Sequence, residues 1–322
     1  MSLKRSKRSQ NNPFIFSDDN LRYHSYNYYL KHKYHQKVFK VPLDAGFTCP
    51  NRDGSCGING CFYCGSKGSG DTIIESNDLM TQFIEGKKIM LNKWPNGKAI
   101  AYFQAFSNTY ASLDSLKKLY HPFIIDQDIV ELAIATRPDC LDQSKIDYFS
   151  QMNKIKPITI ELGLQSIHDK TMSKMNRGHD LNCLDDIVTK LKLANIRTCL
   201  HIINGLPDET SDMMIQTAKH VAKLKVDGIK IHMLHIIKDA VLANMYLNKP
   251  FELLSKETYV SIVIKQLELL PQEMVIERLT GDAIKENLIA PLWTLRKTSV
   301  LNDIAKEMVI QDTYQGKYHE TN

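Results

Sequence analysis

The stretch ITIELGLQSIHDKTMSKMNRGHDLNCLDDIVTKLKLANIRTCLHII, residues 158–203, decides the fold. It opens with an apolar, β-branched run at 158–164 and closes with another at 196–203. Between them, residues 181–194 repeat apolar side chains at helical spacing. Strand, helix and strand in that order is the pattern of a right-handed parallel crossover. The same alternation runs outward in both directions. Upstream, strands are predicted at 38–43, 98–104 and 129–136, with helices at 77–92, 113–120 and 143–154. Downstream, a helix at 211–225 leads to a strand at 228–234. Six strands separated by five helices predict an α/β fold whose parallel sheet is closed or part-closed into a partial (β/α)6 TIM-type barrel. In such barrels the chemistry sits at the C-terminal ends of the strands.

The repeat does not continue cleanly past residue 250. Helical patterns at 256–270 and 293–309 flank a short strand-like piece, MVIERL, at 274–279. Residues 251–322 therefore read as a C-terminal α/β extension packed on the barrel at 38–250, and residues 1–37 as a basic N-terminal arm. Residues 1–40 carry nine Lys or Arg against Asp18 and Asp19, a balance of +7, so with a net charge of +5 the remaining 282 residues sum to −2. Tyr23, Tyr26, Tyr28, Tyr29 and Tyr34 interleave with those cations. Basic plus aromatic residues suit phosphates and exposed bases, and a solvated tail has the same composition. No run approaches the roughly 18 apolar residues of a membrane span. The polar start MSLKRSKRSQNNP has no apolar core of a secretory signal, so a cytoplasmic location is expected.

Seven cysteines occupy positions 49, 56, 61, 64, 140, 183 and 199, four of them within sixteen residues. An odd, clustered set argues against a disulfide framework and for metal or redox work. The cluster lies in DAGFTCPNRDGSCGINGCFYCGSKGSGD, residues 44–71, whose seven glycines and one proline make it a loop after the first strand. Three thiolates there suit three irons of a 4Fe–4S cluster, leaving the fourth iron open, where four protein thiolates would close it. Cys56 is the alternative fourth ligand, which would make the site a structural zinc knot. Against that reading, Cys61 and Cys64 form one C-x-x-C, while Cys49 and Cys56 do not form a second.

The loop and the barrel motifs downstream of it resemble the radical SAM superfamily, in particular the branch of YhcC-like proteins and the radical SAM domain of the Elongator catalytic subunit. The carriers are DAGFTCPNRDG, GCFYC with Tyr63 before the last cysteine, ELGLQS at 161–166, RGH at 177–179 and GLPDET at 205–210. The usual spacing of the superfamily has three residues in the first gap, and this chain has eleven, as YhcC-like proteins do. The resemblance implies Cys49, Cys61 and Cys64 as cluster ligands and S-adenosylmethionine (SAM) as cofactor. It implies that Gln165 and Arg177 contact the ribose and carboxylate side of SAM, that Ser107 and Asn108 lie where its amino group is held, and that Thr136 faces the same pocket. His201 stands where relatives often place an acidic ribose contact, a departure from the pattern. Arg137 is a candidate substrate contact. Two histidines in KIHMLH, at 232 and 235, are expected on opposite faces of a strand. The reaction implied is reductive cleavage of SAM to a 5′-deoxyadenosyl radical, fed by an electron donor such as flavodoxin or ferredoxin. The implied substrate is a tRNA wobble-uridine side chain. A small metabolite or porphyrinogen is the alternative substrate, and a zinc-stabilised RNA-binding protein the non-catalytic one.

Overall fold

The strands are short apolar runs covered on both faces, so they read as continuous hydrophobic text with little alternation. The computed structural model describes residues 11–68, 70, 73–76 and 78–320. In chain order its elements are α1 (Tyr26–Tyr34), β1 (Val38–Leu43), α2 (Leu79–Lys93), β2 (Lys98–Phe103), α3 (Leu113–Ile125), β3 (Ile129–Thr136), α4 (Gln143–Asn153), β4 (Ile158–Gln165), α5 (Asp169–Lys174), α6 (Leu181–Leu193), β5 (Arg197–Asn204), α7 (Ser211–Leu224), β6 (Gly228–Met233), β7 (Ile236–Ile237), α8 (Val241–Asn248), α9 (Lys256–Leu269), β8 (Val275–Arg278), β9 (Leu288–Ala290) and α10 (Lys297–Ile310). One sheet runs β1-β2-β3-β4-β5-β6-β8 with every neighbouring pair parallel. It is a seven-stranded half-barrel, the partial TIM barrel the alternation predicts. A small antiparallel pair, β7 with β9, stands apart from it.

Local chemistry starts the helices. Asp78, Ser112, Asp142, Asp180, Thr210 and Ser255 each accept a hydrogen bond from the backbone N–H three residues on, at the head of α2, α3, α4, α6, α7 and α9. Thr210 thus caps α7 from within GLPDET. Side chains such as Leu116, Tyr120, Phe149, Leu184 and Val188 then seal the outer face of the sheet.

Two segments join the barrel without a signal in the repeat. The piece at 274–279 contains β8, which pairs with β6 in register Gly228 to Val275 and Ile229 to Ile276. The short β7 and helices α8 and α9 stand between β6 and β8, so the alternation breaks before the strand-like text at 274–279, and only the pairing with β6 shows that it joins the sheet. The second segment is the arm. The Ile276 N–H donates to the His24 carbonyl at 2.8 Å. Lys33 and the Tyr34 hydroxyl reach Glu131 at 3.0 and 2.8 Å. Leu30, Tyr26, Tyr29 and Tyr34 pack with Val38, Ile100, Tyr102 and Ala133. Residues 22–34 therefore plug the N-terminal end of the barrel, and much of the arm's basic and aromatic character is used inside the protein. Lys4, Arg5, Lys7 and Arg8 lie outside the described residues.

Above this plug the lumen is ionic. Lys40 of β1 pairs with Glu161 of β4 at 2.6 Å and with Glu277 of β8 at 2.9 Å. Lys230 of β6 pairs with Glu161 at 2.5 Å, and Arg197 of β5 with Glu277 at 2.7 Å. The Tyr102 ring of β2 lies 4.7 Å from each of the two lysine ammonium groups. Burial works against ionisation of Glu277, but Lys40 and Arg197 pull its carboxyl down to about 2.

Candidate active site at the cysteine loop

The loop leaves the C-terminal end of β1 and is fastened at its start by Gln82, which accepts from the Asp44 N–H at 2.9 Å and donates to the Asp44 carbonyl at 3.2 Å. Tight turns come next: Arg52 N–H to Cys49 carbonyl, Gly60 N–H to Asn51 carbonyl and Cys64 N–H to Cys61 carbonyl, at 2.8, 2.7 and 2.9 Å. The long spacer between Cys49 and Cys61 docks on the turn after α5. Fully buried Asn51 donates to the Asn176 carbonyl, and Asn176 returns bonds to the Ile58 and Gly60 carbonyls at 3.0 and 2.8 Å. The eleven-residue gap is thus folded and locked, which is what lets Cys49 stay beside Cys61 and Cys64.

All the loop cysteines are free thiols. The Cys61 thiol is pulled down to about 6, chiefly by its hydrogen bond with Cys64, against the cost of burial and with help from Tyr63, Arg137 and Asn51. The same bond and burial push Cys64 up, so the pair holds one proton with the charge on Cys61. Cys49 adds repulsion at Cys64 and Cys56. Cys56 is exposed, with its Sγ 3.6 Å from the Gly178 carbonyl and 3.7 Å from Arg137. Among the described residues, no group of three or more His, Cys, Asp or Glu side chains gathers tightly enough for a single metal ion. A cubane spreads its irons over several corners, so its thiolates need not converge on one point, and three soft sulfur donors are the chemistry it takes.

A cavity of about 690 Å³ opens beneath Cys64 and runs into the lumen. Tyr63, Gln165 and His201 line it together with Cys64. Gln165 sits at a bulge at the end of β4 with φ 56°, uncommon for a non-glycine residue, and a Cβ on Gly163 would stand 2.5 Å from its Nε2. Gly163 therefore lets the amide lie back over the strand. His201 bonds Glu161 at 3.0 Å and so belongs to the lumen network.

The other expected residues are placed differently. Arg177 is buried, and its guanidinium donates to the carbonyls of Leu164, Ser166 and His179 and to Asp169, at 2.8 to 2.9 Å. It fastens the turn that presents Gln165. Asn108 donates to the carbonyls of Phe103, Ala105 and Ala135 at 3.1, 2.9 and 2.9 Å. Thr136 bonds Thr109 at 2.6 Å, and the Ser107 N–H bonds the Thr48 carbonyl next to Cys49 at 3.3 Å. These three staple the β2 and β3 ends beneath the cysteine loop. Arg137 is held by Asp139 at 2.6 Å and donates to the Arg177 carbonyl at 2.6 Å. His232 and His235 line the same cavity, contrary to the opposite faces expected of them. The reason is that β6 ends at Met233, and the chain turns before His235. Lys40, Lys230 and Glu277, which also line the cavity, were legible only as charges inside otherwise apolar strands.

Residues 54–221 match the radical SAM superfamily, and residues 226–309 match the radical SAM C-terminal domain. The chain belongs to the radical SAM superfamily. The uncharacterized protein YtqA of Bacillus subtilis is 46% identical over 312 residues, 97% of each chain. YhcC of Escherichia coli K12 is 32% identical over 265 residues, 82% of this chain and 85% of that one. A tRNA uridine(34) acetyltransferase of Methanocaldococcus infernus is 24% identical over 156 residues, 48% of this chain and 29% of that protein. The solved structure of Elp3 from the same archaeon, with residues 1–46 deleted, shares the fold at a TM-score of 0.65 and 15% identity, covering 87% of this chain and 64% of that one. Membership implies a 4Fe–4S cluster, SAM and an electron donor for this radical SAM enzyme. Among the described residues, no helix is long and apolar enough to cross a membrane.

The cavity histidines give the radical SAM protein a pH signature. Burial holds His235 at about 4, against the pull of Asp282. Burial, then Arg278, His201, Lys230 and His235 hold His232 well below the ordinary value. Their folded pKa values are depressed, so their contribution to stability is full above about 6.5, the unfolded value. It is lost as pH falls toward the folded values. These histidines are expected to leave the apo melting temperature unaffected from neutral pH upward and to lower it as pH falls from about 6.5 to about 4. Calorimetry across that range checks this, and His235→Gln should flatten part of the slope.

Proposed function

We propose that this radical SAM enzyme modifies the side chain of a wobble uridine in tRNA, using the 4Fe–4S cluster held by Cys49, Cys61 and Cys64. The observation that carries the substrate class is the match over 156 residues to a protein named for chemistry on tRNA uridine 34. That match spans 29% of the acetyltransferase, and the acetyl transfer in its name is not carried over. When bound, the cluster and SAM supply a one-electron cleavage that yields a carbon-centred radical.

The chain's own part is position and shelter. Tyr63 and Gln165 face the cavity below the thiols, and Arg177 and Gly163 hold Gln165 in its unusual backbone conformation. The cavity's size, about 690 Å³, is in the range of small-molecule sites. A base extended into it meets the polar lumen, and the basic run of Lys4, Arg5, Lys7 and Arg8 is of the chemistry that meets phosphates. A small polar metabolite is the second reading, favoured by Lys40, Lys230 and Glu277 on the cavity wall.

The test is 5′-deoxyadenosine production by anaerobically reconstituted protein with SAM and reductant, with and without tRNA, followed by nucleoside mass spectrometry of the tRNA. Stimulation by intact tRNA, lost on nuclease digestion, and a mass change at the wobble uridine are expected. Deleting residues 1–10 should weaken the stimulation and leave the basal cleavage in place. Indifference to tRNA, with stimulation by a nuclease-treated small-molecule extract, would turn the assignment to the metabolite.

A further inference from the structure

Two residues beyond Cys64 the loop meets a carboxylate from a distant part of the chain. Asp239, in the turn between β7 and α8, accepts from the Ser66 N–H and from the Ser66 hydroxyl, each at 2.7 Å, through one oxygen. Its other oxygen accepts from the Asn287 amide at 2.8 Å. Between Cys64 and Ser66 stands Gly65, and a Cβ there would lie 2.9 Å from the Asp239 carboxylate and 3.0 Å from Ile237. The close approach therefore requires glycine at 65. The same segment grips the C-F-Y-C turn a second time, where the Leu242 N–H donates to the Phe62 carbonyl at 2.8 Å. Arg52 closes the turn from its other side, donating to the Gly65 carbonyl at 2.6 Å.

We infer that Asp239 is a positioning residue for the cluster, fixing the backbone that carries Cys64 and tying it, through Asn287, to the start of β9. This rests on the reading that Cys49, Cys61 and Cys64 hold the cluster. The physical ground is preorganisation. A thiolate on a free glycine-rich loop must be ordered when the cluster binds, whereas a pair of charge-assisted hydrogen bonds from Ser66 to Asp239 orders it beforehand. The β7–β9 pair lies outside the barrel and contributes nothing to sheet closure, and the turn after β7 meets this loop. The carboxylate also places a negative charge beside the site, which opposes adding an electron to the cluster.

The experiment uses the full chain, reconstituted anaerobically with iron and sulfide, as wild type, Asp239→Ala, Asp239→Asn, Ser66→Ala and Gly65→Ala. Three quantities are read: iron and sulfide per chain, the rate at which an iron chelator bleaches the visible absorbance, and the midpoint potential. Melting of each apo protein is the control. Asp239→Ala and Gly65→Ala should lose the cluster roughly 10–100-fold faster than wild type, the range for partners that orient metal ligands. Ser66→Ala should be intermediate. Asp239→Asn, which keeps the shape and removes the charge, should raise the midpoint potential. Gly65→Ala should cost less in the Asp239→Ala background than alone, because the carboxylate it meets is gone.

Wild-type bleaching rates in Asp239→Ala and Gly65→Ala overturn the inference. So does cluster loss that merely tracks a fall in apo melting temperature across the series. If the wild type itself takes up no iron and sulfide, the cluster reading fails first, and the two failures are told apart.

Discussion

Cys64→Ala should abolish 5′-deoxyadenosine formation and leave the protein folded. Cys64 lines the cavity and shares a proton with Cys61, and its thiol is the largest cause of Cys61's ready ionisation. On the proposed cluster reading, truncation therefore removes one donor and weakens a second. The expected loss of cluster binding is at least ~100-fold, beyond the 10–100-fold typical of residues that only orient ligands. Iron and sulfide content should fall with the activity, while apo melting should stay close to wild type because the loop contributes little to the core. Cys56→Ala is the matched control. Its thiol is exposed and faces Gly178 and Arg137, so the variant should keep its cluster and its cleavage activity. A zinc content that depended on Cys56 would instead favour the closed zinc knot.

Glu161→Ala should damage stability more than any other single change in the lumen. Glu161 is 1% exposed and bonds Lys40, Lys230 and His201. Burial alone would raise its pKa, yet Lys230 and Lys40 hold it well below the usual carboxylate range. Removing it leaves two ammonium groups facing each other with only Glu277 to share, and breaking a buried pair in this way costs about 3–5 kcal/mol. Denaturant unfolding of the apo protein measures it. Replacing Glu161 and Lys230 together by methionine should recover much of the loss, since apolar groups of similar volume often substitute for a buried pair at no cost. If that double variant is stable and still cleaves SAM but no longer turns over substrate, the charges serve the cavity. Acid titration gives an independent check. Glu277 at about 2 lies below its unfolded value near 4.5, so its stabilisation is full above the latter and is lost as pH falls toward the former.

The legibility of each feature in the sequence depends on how local its cause is. Strand and helix alternation from 38 to 234 and the glycine-rich cysteine loop arise from neighbours along the chain, so periodicity and spacing report them. The family resemblance rested on the same short motifs. Arg177 shows the limit. RGH is readable as a motif, but the guanidinium turns inward to carbonyls of the β4 turn, and only the path of α5 decides that direction.

The sequence by itself determined the parallel α/β architecture, the place of the cysteine loop at the end of the first strand, and the three thiols that suit a cluster. Those depend on hydrophobic period, turn residues and cysteine spacing, which a linear text preserves. Tertiary structure alone decided that β8 completes the sheet and that residues 22–34 plug its lower end. It alone also gathered Lys40, Lys230 and Glu277 around one cavity with Glu161 bridging the two lysines, and it brought Asp239 to Ser66 across 173 positions of chain. Each of those is a bond between residues far apart in sequence, and such pairs acquire meaning only once the strands between them have fixed their distance.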